Sequence, residues 1–71
     1  MYIVIELQTN AEGVVANLVY QYASWGEAES KFHSILASAA VSSLPVHAAV
    51  MLTNAGTMVK SEFYRHDEED E

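Results

Sequence analysis

Only one stretch of this chain has helical periodicity, and a hairpin-like segment lies on each side of it. Ser24 and Glu27 stand at capping-box spacing, where the serine oxygen accepts from the Glu27 amide and the glutamate side chain returns a bond. Ala28, Phe32, Ile35, Leu36, Ala39 and Ala40 then recur at three- and four-residue intervals as a single apolar stripe. Ser42, Ser43 and Pro45 close the helix, because the residue before a proline avoids helical geometry. The predicted helix therefore runs from Ser24 to Ser43. A lone helix covers only one face of a sheet, so the other face has to be accounted for.

The flanking segments alternate as strands do. Met1 to Thr9 places Ile3, Ile5 and Leu7 on one side and Tyr2, Val4, Glu6 and Gln8 on the other. Asn10-Ala11-Glu12-Gly13 has turn chemistry, and Val14 to Tyr22, β-branched and aromatic, returns as a second strand. Val46 to Thr53 and Met58 to Arg65 repeat the pattern around Asn54-Ala55-Gly56. The triplet Thr-Asn-Ala recurs at 9–11 and 53–55, which selection for turns explains without a duplicated unit. The fold class expected is α+β: a ββαββ unit, a four-stranded antiparallel sheet with one helix packed on one face. A short crossover returns parallel to the strand it left, so the order is 2-1-3-4 or 1-2-4-3. The first is favoured because it makes the two most apolar strands central. Residues 1–66 form the single domain and 67–71 a disordered acidic tail.

The helix is expected to cover Ile3, Ile5, Leu7, Val46, Ala48, Val50 and Leu52. That would leave Tyr2, Val4, Ala49, Met51 and Tyr64 together on the open face, joined by Val19 or Tyr20; the parity of strand 2 stays undecided, since Val14 to Tyr22 is apolar on both sides. An open antiparallel face normally reads polar, and this one does not. Tyr2, Val4, Val19, Ala49, Met51 and Tyr64 are therefore the expected self-association residues, through sheet-to-sheet or edge-to-edge contact in a homodimer or higher oligomer. Burying 600 Å² of apolar surface per chain would contribute about 15 kcal/mol before association costs.

Composition removes several function classes. The formal net charge is −7, but half of the ten acidic residues form the terminal run Asp67 to Glu71. Lys31, Lys60 and Arg65 are too few cations to neutralise a phosphate backbone, so no nucleic-acid partner is expected. Gathering the carboxylates in one run also argues against DNA mimicry. There is no cysteine, hence no disulfide or thiolate site. No apolar run approaches the roughly 18 residues of a membrane span. A first strand starting at Tyr2 leaves no room for a cleaved leader. A cytoplasmic protein is expected.

Catalytic signals are weak. His33, His47 and His66 lack metal-motif spacing, and no metal or cofactor is expected. His33 is a helix-surface partner for Glu29, and Glu27 one for Lys31, at four-residue spacing. His47 reads as an exposed or interface strand residue. Ser34 follows His33 directly, and helix neighbours diverge by about 100°, too far for a nucleophile–base pair. Trp25 is expected to staple the start of the helix onto the sheet. An enzyme is not expected.

Three segments carry a resemblance: Ile5-Glu6-Leu7-Gln8-Thr9-Asn10, Glu27-Ala28-Glu29-Ser30-Lys31-Phe32-His33, and Ala39-Ala40-Val41-Ser42 with Pro45-Val46-His47. Together they resemble short uncharacterised proteins encoded by bacteriophages and prophages of gut bacteria. The resemblance spans nearly all of the chain except the acidic run. It implies a phage-encoded protein in the host cytoplasm, and no activity or functional residues. The expected function is a small non-enzymatic module that self-associates and binds a host or phage protein, for example as an inhibitor of a host factor. The alternatives are a structural or assembly component of a phage particle, and a small-ligand binder at a dimer interface.

Overall fold

A computed structural model describes residues 1–66; the run 67–71, expected as a disordered tail, lies outside the described residues. The elements are β1 (Tyr2–Thr9), β2 (Val15–Tyr22), α1 (Trp25–Ala40), β3 (Val46–Thr53) and β4 (Met58–Arg65). The four strands form one antiparallel sheet in the order β2-β1-β3-β4, and α1 packs against it. This is the expected ββαββ fold with the favoured strand order. The crossover from β2 to β3 passes over β1, so β1 and β3, from different hairpins, form the central seam.

Local chemistry sets the boundaries. The Ser24 side chain accepts from the Glu27 amide at 3.2 Å, and its hydroxyl donates to the Glu27 carboxylate at 3.3 Å. The helix stops at Ala40, with Val41 as its C-cap, short of the expected Ser43. Both hairpin turns hang on a side chain three residues before a glycine. Asn10 accepts through Oδ1 from the Glu12 and Val14 amides, and Thr53 through Oγ1 from those of Ala55 and Thr57. Gly13 and Gly56 supply the left-handed φ (+84° and +89°) that closes each turn. The anchor is the Asn of one Thr-Asn-Ala triplet and the Thr of the other, so the triplets are not structural equivalents.

The core reverses the expected assignment of faces. Val4, Ala49 and Met51 are fully buried beneath Ala28, Phe32, Ile35 and Ala39 of α1. Tyr2, Tyr20, Tyr22, Leu36 and Val59 pack around them. Tyr2, Val4, Ala49 and Met51 do share a face, as expected, but it is the face the helix covers. Tyr64, opposite His47, lies on that side too. Val19, opposite Ile5, lies on the other, and Tyr20 takes its place in the group. The physical reason is shape. Ala28, Ala39 and Ala49 are small and fully buried, which lets helix and sheet come close, while Phe32, Val4 and Met51 supply the bulk of the core. Ala40, expected in the apolar stripe, is exposed.

Polar contacts lock this arrangement. Lys60 on β4 donates to Glu29 on α1 at 2.9 Å and lies over the Phe32 ring. Trp25 meets Tyr2 edge-on at 5.4 Å between centroids, the expected staple. His66 ties the end of the sheet to the helix: its Nε2 lies 2.8 Å from the Ala39 carbonyl, and its amide donates to Pro45 at 2.7 Å.

Candidate functional site

With Val4 and Met51 under the helix, strand alternation turns the other set of residues outward. β1 contributes Ile3, Ile5 and Leu7, and β3 contributes Val46, Ala48, Val50 and Leu52. These seven residues, expected beneath the helix, instead form the middle of the open face. Ile3 lies opposite Leu52, Ile5 opposite Val50 and Leu7 opposite Ala48, giving a continuous aliphatic floor. β2 adds Val15 and Val19, and β4 adds Phe63, with exposures of 55, 56 and 59%, so nothing among the described residues covers them fully. Thr9, Asn17, Gln21 and Ser61 are the neutral polar residues at its margins. Among the described residues, Arg65 at one corner is the only charged side chain in this set.

The dimensions follow from strand geometry. Four strands of eight residues, spaced about 4.8 Å apart and rising about 3.3 Å per residue, give a footprint of roughly 500 Å². The surface is aliphatic, rich in β-branched residues, and formed by a sheet rather than a cleft. It resembles one half of a protein core more than a ligand pocket.

The other candidates are polar and lie on the helix side. Glu6 accepts from His47 Nε2 at 2.6 Å and from Gln8 Nε2 at 2.9 Å. His47, expected to be exposed or at an interface, is 4% exposed, and its Nδ1 has no partner. Burial raises the Glu6 pKa, but hydrogen bonds from Gln8 and His47 outweigh it, and the net shift is below the ordinary 4.5. A second cluster joins Glu29 to Lys60 and to His33, the latter at 3.2 Å as expected. The Lys60 hydrogen bond is the main reason the Glu29 pKa is lowered. Lys31 lies over the Tyr20 ring, 4.1 Å from its centroid, while Glu27 turns back to Ser24. A shallow groove beside these residues is lined by Tyr22, Gly26, Glu27, Ser30, Lys31 and Ser34.

In each cluster one ion pair joins two elements. Glu6–His47 links β1 to β3, and Glu29–Lys60 links α1 to β4. Among the described residues no group of three or more His, Asp or Glu side chains could hold a metal ion. No helix among them is long and apolar enough to cross a membrane. Comparison with known proteins found no matching family model, no matching curated protein and no matching solved structure.

Proposed function

We propose that this protein is a non-enzymatic, self-associating, protein-binding module, and that two copies meet through the open sheet face. The observation that carries this is the aliphatic floor of Ile3, Ile5, Leu7, Val46, Val50 and Leu52, left bare by the only helix among the described residues. Two footprints of roughly 500 Å² together give about 1,000 Å², the lower bound for a biological interface. Their burial is worth at most about 25 kcal/mol, against roughly 4–15 kcal/mol of association cost. The occupant is argued from chemistry. The face is aliphatic, and homodimer interfaces are more apolar than those of non-obligate complexes, where Tyr, Trp and Arg are enriched. With one charge at a corner, two copies also meet without opposing rows of like charge.

Face-to-face pairing puts the helices on the outside of a four-layer sandwich, where Glu27, Ser30 and Ser34 are available to a further partner. The phage setting implied by the sequence resemblance suits such a product, with a host or phage protein as the target. The test is sedimentation equilibrium on the double variant Ile5→Asp/Val50→Asp, at the centre of the face and outside the core. The particle mass should halve while far-UV circular dichroism is retained. An unchanged mass, or a wild-type chain that stays monomeric at millimolar concentration, overturns the proposal.

A further inference from the structure

The sheet has two edges, and they are built differently. β4 carries Lys60, Glu62 and Arg65, and its pairing with β3 shifts register at Met51/Leu52. Charges and bulges of this kind protect an edge from pairing with another chain. β2, Val-Ala-Asn-Leu-Val-Tyr-Gln-Tyr, has no charge and no proline, and it pairs with β1 over its whole length without a shift. Its apolar residues are exposed on both sides of the sheet: Val19 by 56% on the open face and Leu18 by 45% on the helix side. A copy stacked on the open face would leave Leu18 bare. A strand laid alongside β2 would cover both residues.

The hairpin fixes which backbone groups await a partner. The Asn10 amide donates to the Val14 carbonyl at 3.0 Å. Bonded and non-bonded pairs alternate along an antiparallel ladder, so Ala16, Leu18, Tyr20 and Tyr22 turn their amides and carbonyls toward β1. Val15, Asn17, Val19 and Gln21 turn theirs away from the sheet. Across a two-fold axis at Leu18, Val15 meets Gln21 of a second copy and Asn17 meets Val19. That single register engages every outward amide and carbonyl of β2. It also sets small Ala16 beside bulky Tyr20 and Leu18 beside its own counterpart.

We infer that β2 is a second self-association site, at which β2 of another copy adds antiparallel about Leu18 to make a continuous eight-stranded sheet. The axis of this pairing is normal to the sheet, whereas that of face-to-face stacking lies in its plane. The two contacts are compatible in one closed tetramer, and neither requires the other.

The absence of native cysteine makes a direct test possible. In the inferred register the two Leu18 residues form a non-hydrogen-bonded pair with Cα atoms about 4.5 Å apart, within disulfide range. Under mild oxidation, Leu18→Cys should give a covalent dimer at least roughly tenfold faster than Glu62→Cys on the exposed β4 edge, because pairing raises the local thiol concentration. Leu18→Lys places like charges at the axis and should halve the particle mass with the fold retained. Val19→Pro deletes an outward amide and should do the same, read alongside circular dichroism to exclude misfolding. Leu18→Cys should still cross-link in the Ile5→Asp/Val50→Asp background, which separates edge from face. Equal cross-linking rates at positions 18 and 62, or an unchanged mass for Leu18→Lys, overturns the inference.

Discussion

At the scale of single residues, Glu6 and His47 form the most consequential polar contact within the fold. Their 2.6 Å bond lies on the helix side of the sheet, with side-chain exposures of 12% and 6%. Replacing Glu6 by leucine removes the acceptor for both His47 and Gln8, and should cost about 2–4 kcal/mol in urea unfolding. The acid dependence has a definite sign. The folded-state pKa of Glu6 lies below the unfolded value, so its contribution is present above about pH 4.5 and lost as pH falls through the folded value. Glu29 acts in the same direction. Stability measured between pH 7 and pH 3 should therefore fall less steeply for Glu6→Gln than for the wild-type chain. Equal slopes would show that the carboxylate contributes nothing specific.

At the scale of elements, the helix cap and the turns carry the local signal. Ser24→Ala removes the acceptor for the Glu27 amide and should lower stability by about 1 kcal/mol. Gly56→Ala forces a Cβ into left-handed geometry and should cost roughly 1–2 kcal/mol, even though no other atom stands in its way. Both are read from chemical denaturation midpoints. These elements were legible in the sequence because each depends on neighbours along the chain: the capping box, the turn glycines and the period-two strands. Parity was not, and the reason lies in particular residues. Tyr2 and Val4 are as apolar as Ile3 and Ile5, so alternation does not say which set faces the helix. Glu6, Gln8 and His47 pointed to water, yet Gln8 and His47 both bond the Glu6 carboxylate within the fold. Better signals were Ala49, small enough for a close approach of the helix, and the tyrosines Tyr2, Tyr20 and Tyr22, which pack around the core. The sequence argument that one sheet face stays bare and greasy survives, with Val19 kept and the other residues exchanged for the opposite set.

At the scale of the whole molecule, the proposed contacts make stability depend on concentration. Association coupled to folding stabilises by mass action, about 1.4 kcal/mol per tenfold change in concentration. The melting temperature should therefore rise across a dilution series from micromolar to millimolar, and rise less in Ile5→Asp/Val50→Asp. A melting temperature independent of concentration would count against both contacts. The double variant also tests whether the aliphatic floor has any role within one chain: no fold-breaking loss is expected, whereas Val4→Asp, beneath the helix, should unfold the protein.

The central seam pairs Tyr2 with Thr53 and Thr9 with Val46, so the only ladder between the two hairpins joins segments far apart along the chain. A backbone cut between Ser43 and Leu44 would thus yield a ββα fragment and a lone hairpin whose edges match. Reassembly of those halves would become a bimolecular event, and the solitary indole of Trp25, lying near Lys60, could report it by fluorescence. The fold is in that sense a ready-made split reporter.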